Sequence, residues 1–269
     1  HTLEVVSAHG TASPAVGTIS YDYNTALTPS VTSPDTAGST RYVCTGWTMT
    51  GQDPVSGSSA STSFSLTNGA VLTWSWKTQY ELTAAADTGG SVSPETGWYD
   101  GDGAVTVTAT PDTGYQFAGW RGDTLGDTNL VDMDLTMDQA RSITAAFTLN
   151  DYTITASAGA GGSIDPSGSV GVSHGGEQAF TITADAHYHI DDVLVDSASV
   201  GAVSSHTIEN VTADGHTIEA SFAIDEHTLE VVSTHGTGTP AVGTHTYDYN
   251  TALTPSVTSP DAAGSTRYV

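Results

Sequence analysis

The segment from His1 to Val43 returns from His227 to Val269 with only six exchanges, at an offset of 226 residues. The exchanged pairs are Ala8/Thr234, Ala12/Gly238, Ser13/Thr239, Ile19/His245, Ser20/Thr246 and Thr36/Ala262. Two stretches this alike specify the same local structure twice, so a single globule around one core is excluded and the chain reads as an array.

Inside the long period lies a weaker one of about 75 residues. Each unit opens on an alternating strand: His1-Thr-Leu-Glu-Val-Val, Tyr80-Glu-Leu-Thr-Ala, Tyr152-Thr-Ile-Thr-Ala and His227-Thr-Leu-Glu-Val-Val. A Gly/Ser/Pro turn follows, as in Gly89-Gly-Ser-Val-Ser-Pro94 and Gly161-Gly-Ser-Ile-Asp-Pro166. Then come a second alternating run and an aromatic segment, Tyr42-Val-Cys-Thr-Gly-Trp47 or Tyr115-Gln-Phe-Ala-Gly-Trp120, diverged to Tyr188-His-Ile-Asp-Asp-Val193. Two further strands close the unit. Period-two alternation between turn residues is the pattern of half-buried strands.

The repeats place domains at 1–79, 80–150 and 151–226, with 227–269 as the first half of a fourth domain copied from the first. The expected fold is all-β: a tandem array of small β-grasp-like or β-sandwich-like domains forming an elongated rod. The junctions Trp76-Lys-Thr-Gln-Tyr80, Phe147-Thr-Leu-Asn-Asp-Tyr152 and Phe222-Ala-Ile-Asp-Glu-His227 lack Gly and Pro. A flexible linker would be longer and richer in Gly and Ser, so the last strand of one domain should run almost directly into the next. Half a domain buries too little surface to stand alone, so residues 227–269 call for completion, by the same chain or by a neighbour.

Composition narrows the function. Five Lys+Arg against thirty Asp+Glu leave a formal charge of −25. A phosphate-binding surface needs clustered cations, so nucleic acid is excluded as a partner, and no apolar run is long enough for membrane insertion. One cysteine, Cys44, precludes a disulfide framework and is expected to pack as a small hydrophobe. Trp47, Trp74, Trp76 and Trp120 are expected core anchors.

Candidate chemistry is sparse. Asp100-Gly-Asp102-Gly, with Trp98 and Tyr99 before it, offers oxygen ligands on a curled backbone. Asp100 and Asp102 are therefore the candidate calcium ligands, against the plainer reading of a polar turn; no other cofactor is implied. Trp98, beside that turn, is the candidate contact for a glycan or protein. Asp123, Asp127, Asp132 and Asp134 form a second acidic cluster, with Asp132 and Asp134 on one outward strand face; it reads as a solvated face or a weak calcium site, and Asp191, Asp192 and Asp196 invite the same two readings. His187 and His189 share a face without the converging set a zinc site needs. Asn210-Val-Thr212 is a glycosylation sequon. Lys77, the sole lysine, has the parity opposite to Trp76 and should point outward. No nucleophile elbow, phosphate loop or zinc-helix motif is present, so an enzyme is not expected.

Tyr152-Thr-Ile-Thr-Ala, Gly161-Gly-Ser-Ile-Asp-Pro166, Ala109-Thr-Pro-Asp-Thr-Gly-Tyr115, Phe117-Ala-Gly-Trp-Arg-Gly-Asp123 and Ile143-Thr-Ala-Ala-Phe147 together resemble the divergent InlB B-repeat domains of bacterial and archaeal surface proteins. The resemblance covers the second domain well, the third fairly and the first more loosely, with an inserted Gly/Ser loop at 51–61. It implies a compact β-grasp-like fold, an extracellular or cell-surface location and no catalytic residues. The expected role is a non-enzymatic structural repeat protein, a stalk, spacer or filament subunit whose partners are further copies of itself or the continuing array. The alternative is an adhesin segment that binds a surface glycan or protein.

Overall fold

The computed structural model describes residues 1–124, 126–259, 261–263 and 266–268, and it forms two compact units, His1–Leu149 and Asn150–Val269. Every regular element among the described residues is a strand. This follows from a chain rich in Thr, Val and Ile, whose branched side chains favour the pleated backbone.

One strand order occurs three times. In the first repeat Thr2–Val6 lies between Gly17–Ser20, antiparallel, and the early part of Ala70–Ala86, parallel. Thr40–Thr50, which carries the aromatic segment, flanks Ala70–Ala86 on its other edge. In the second repeat the later part of Ala70–Ala86 becomes the opening strand. It lies between Gly97–Asp100, antiparallel, and Arg141–Leu149, parallel, with Tyr115–Gly122 beyond. In the third, Asp151–Ala158 lies between Gly168–Ser173 and the parallel His216–Ile224, with Tyr188–Val195 beyond. The opening and closing strands of each repeat are therefore central, adjacent and parallel. A parallel pair needs a crossover, and here a second small sheet supplies it. That sheet is Gly90–Ser93, Ala104–Pro111 and Asp132–Thr136 in the second repeat, and Gly162–Asp165, Gly176–Ala184 and Ser205–Val211 in the third. The first repeat splits it into two pairs, Ala12–Ser13 with Ser30–Val31 and Thr25–Leu27 with Phe64–Leu66.

Each core fills the space between the two sheets. Leu3, Val5, Leu66, Leu72 and Trp74 build the first, Leu82, Val107, Leu135 and Ile143 the second, and Ile154, Phe180, Val193 and Ile218 the third. Fully burying such a side chain contributes about 1.5–3 kcal/mol. Trp47, Trp74 and Trp120 are buried as their parity requires. Trp76, of the same parity, packs against the first core but is only half-buried, and its indole N–H donates to Ser7 Oγ at 3.1 Å. Cys44, opposite Trp76, is likewise only half-buried.

A register shift opposite Ser75/Trp76 explains the Gly-Trp pair in the aromatic segment. Thr45 and Ala118 are the extra residues of β-bulges, and Gly46 (φ 139°) and Gly119 (φ 126°) follow them in a backbone region that side chains avoid. The bulge turns the next residue, Trp47 or Trp120, into the core. In the third repeat the bulge falls at Asp191, and Val193 takes the place of the tryptophan.

Candidate functional site

The expected strand-to-strand junction between the first two repeats is one unbroken strand of 17 residues, Ala70–Ala86. Its neighbours change along its length, and near the middle both repeats hold it at once. Gln79 pairs with Arg41 on one edge and Asp100 on the other. Residues at one rung of neighbouring strands share a face, so Arg41, Gln79 and Asp100 stand side by side. Arg41 Nε donates to Gln79 Oε1 at 2.8 Å, and Gln79 Nε2 donates to Asp100 Oδ1 at 2.6 Å.

Residues two positions away along the strand share that face. Lys77 reaches Asp100 Oδ1 at 2.7 Å, pointing outward as its parity indicates. Glu81 pairs with Trp98 and accepts a bond from Ser39 Oγ at 2.8 Å. The Arg41 guanidinium lies 4.7 Å from the centre of the Trp98 ring. Two of the five basic residues in this acidic chain thus converge on one junction.

Trp98 is therefore half-buried beneath a cation, and not the free aromatic expected for a ligand contact. Lys77 first, then Gln79, hold the Asp100 carboxyl below its ordinary 3.8, so it is ionised and engaged on both oxygens. Asp102 sits at φ 59° in a tight turn closed by Gly103 N donating to Asp100 O, and its own amide donates to Met137 O. The two candidate calcium ligands thus occupy a polar turn in which Asp100 already has two partners. Asn210 lies exposed near the end of Ser205–Val211, where its side chain is accessible.

The other acids are mostly tied to their own repeat. Asp132 and Asp134 accept from Thr108 and Thr106 across the strand pair at 2.7 and 2.6 Å. Asp123 accepts from Ser142 N, and Asp127 accepts from Asn129. Asp192 Oδ1 organises the turn after its bulge through Val193 N, Gly201 N and Ser199 Oγ. Asp196 is held below its ordinary range by the Thr217 amide first and His216 second. His187 and His189 separate: one ring stacks on Tyr249 at 3.6 Å, and the other meets Asp225 at 3.1 Å. Among the described residues no group of three or more His, Cys, Asp or Glu has the geometry to hold a metal ion.

A model for the divergent InlB B-repeat domain matches residues 80–151 and 152–226, the second and third repeats of this strand order. The chain belongs to the divergent InlB B-repeat family. Domains of this family are repeats of extracellular and surface proteins. The first B-repeat-like unit lies outside the matched residues, yet its opening strand has the same parallel partner and the same bulged neighbour. No curated protein matches the chain. Among solved structures, the Bacillus anthracis TIE protein is similar at 8% identity and a TM-score of 0.31, over 85% of this chain and 52% of that one. The chain thus spans about half the length of that structure.

The junction rung was missed by sequence reasoning because Arg41 and Gln79 are 38 residues apart and only the strand register brings them together. One signal was available. Lys77, the sole lysine among five basic residues, lies within the junction Trp76–Tyr80 itself. The arrangement binds strands to strands. It presents no activated nucleophile or proton-transfer pair.

Proposed function

We propose that this chain is a non-catalytic, load-bearing spacer of an extracellular or cell-surface protein, in which B-repeats supply length and stiffness. The observation that carries the reading is the parallel pairing of opening and closing strands in all three repeats. Tension along the chain pulls the start of the opening strand and the end of the closing strand in opposite directions. The bonds between two parallel neighbours are then loaded together in shear, not broken one at a time. The shared strand and its Arg41–Gln79–Asp100 rung pass that load from the first repeat to the second without a hinge.

Single-molecule pulling on the full chain tests this. End-to-end extension should give unfolding forces several-fold above those measured through handles at positions 188 and 224, which unzip an antiparallel pair. Equal forces in the two geometries would remove the mechanical role. A glycan or protein ligand bound at a defined face would instead favour adhesion.

A further inference from the structure

The crossover sheets of the second and third repeats end on differently protected edges. Asp132–Thr136 is the edge strand of the second repeat, and its Asp132 and Asp134 both point outward. Charges on an edge strand discourage a foreign strand from pairing with it. Ser205–Val211 is the edge strand of the third repeat, and among the described residues it pairs only with Gly176–Ala184. Its exposed residues are Ser205, Thr207, Glu209 and Asn210, with a single acid among them.

This edge is also irregular. Val211 pairs with Gly176 and Ile208 with Gln178, so Glu209 and Asn210 stand opposite Glu177 alone and form a β-bulge. Asn210 takes φ 51°, in the left-handed region that Asn and Asp tolerate better than most residues. Its neighbour Val211 is fully buried, and the Val211 carbonyl accepts from Gly175 N at 2.8 Å. Thr212, next along, is exposed like Asn210. Among the described residues neither the Asn210 carboxamide nor the Thr212 hydroxyl has a hydrogen-bond partner. The backbone conformation accounts for an asparagine at 210. It does not account for a hydroxyl residue two positions on, or for a carboxamide left free on a sheet edge.

We propose that Asn210 carries an N-linked glycan, attached through the sequon Asn210-Val-Thr212. Of the six asparagines in the chain, only Asn210 is followed two residues later by Ser or Thr. The donor is a lipid-phosphate-linked oligosaccharide. Asn210 Nδ2 bonds to the anomeric carbon of its first sugar, the bond from that carbon to the phosphate oxygen breaks, and the amide gives up one proton as the lipid phosphate departs. The bulge decides where the sugar stands. Val211 anchors the chain in the core, so Asn210 and Thr212 on either side of it face outward, and a bulky hydrophilic group is held on the open edge. There it does for the third repeat what Asp132 and Asp134 do for the second, blocking strand addition by a neighbouring array. The inference rests on the extracellular location and is independent of the load-bearing role.

The test is mass analysis of the full chain recovered from the surface of the cells that produce it. Peptides containing Asn210 should carry a glycan mass. Thr212→Ser should keep that mass, and Asn210→Asp and Thr212→Ala should lose it. Aspartate retains the tolerance for a left-handed backbone, and residue 212 lies outside the strand, so both variants keep the fold. Thr212→Ala, which adds no charge, should also self-associate at a several-fold lower concentration than the glycosylated chain, with new amide-exchange protection at 205–210. Asn210 at its unmodified mass on surface-recovered protein would overturn the inference while leaving the location and the mechanical role standing. Recovery of the protein only from inside the cell would overturn the location and the inference together. A glycan that persists in Thr212→Ala would overturn the sequon assignment, and equal self-association with and without the sugar would overturn the shielding of the edge.

Discussion

Arg41 and Trp98 belong to different repeats, and the guanidinium of one lies 4.7 Å from the ring centre of the other. The contact exists because both residues flank Ala70–Ala86 at its midpoint, on opposite edges and on the same face.

A double-mutant cycle of Arg41→Ala and Trp98→Ala should return a coupling of about 0.5–1 kcal/mol, the range of a partly exposed cation–π pair. Chemical denaturation of the full chain, followed through a probe in each of the first two repeats, measures it. The two probes should report one transition in the wild type and begin to separate in the double mutant. Coincident transitions in all four proteins would mean that the shared strand alone couples the repeats.

Asp100 should titrate below 3.8, and Lys77→Met should raise its midpoint toward that value. The folded value is depressed, so the stabilisation is fully present above the unfolded value and is lost as pH falls through the folded one. Both side chains are substantially exposed, at 42% and 58%, so the effect should be small and should fade with added salt. Carboxyl-carbon NMR resolves the midpoint directly.

For Asp196 the order of causes differs, with the Thr217 amide ahead of His216. His216→Ala should therefore leave its midpoint still depressed. A return to the ordinary 3.8 on removing the imidazole alone would show that the ring, and not the backbone, holds the charge.

Gly46→Ala should cost more than Gly119→Ala, although both lie at bulges with positive φ. A methyl at Gly46 would meet Gly57 O at 2.2 Å, whereas at Gly119 the nearest atom is Thr128 O at 3.4 Å. The second substitution carries backbone strain of about 1–3 kcal/mol, and the first adds a clash against a backbone oxygen. Thermal melts that rank the two the other way would contradict the assigned bulge packing.

The duplicated segment supplies its own control. Val31→Ala removes a buried methyl pair and should destabilise the first repeat by about 1 kcal/mol or more. Val257→Ala, the same change on an exposed residue, should stay within about 0.5 kcal/mol. Local amide exchange separates the two sites.

Much of the fold was legible in the alternation. Leu72 and Trp74 share a parity and a core, and the Gly-Gly turns and aromatic segments recur where the strands demand them. The bulge at Thr45 was not legible, because it lies opposite Ser75 and Trp76 on a strand some thirty residues earlier. A bulge inserts one residue without leaving a period of its own, so counting along one strand cannot reveal it. Trp98 was misread for a different reason. Whether an aromatic ring is free depends on what stands across the sheet, and its neighbour Arg41 is 57 positions away. Asp100 looked like an ion ligand for the same reason, since its partners Lys77 and Gln79 lie on the adjacent strand.

The unbroken strand Ala70–Ala86 also constrains how such a chain can change. Side chains alternate along it, so Leu72 and Leu82, ten residues apart, both face inward only while the spacing between the two cores stays even. Inserting or deleting one residue near Gln79 would turn the second repeat's opening strand inside out, although the first repeat would be untouched. The two repeats are geared together. They can be lengthened, shortened or recombined only in steps that preserve parity, and copying whole cassettes satisfies that condition automatically.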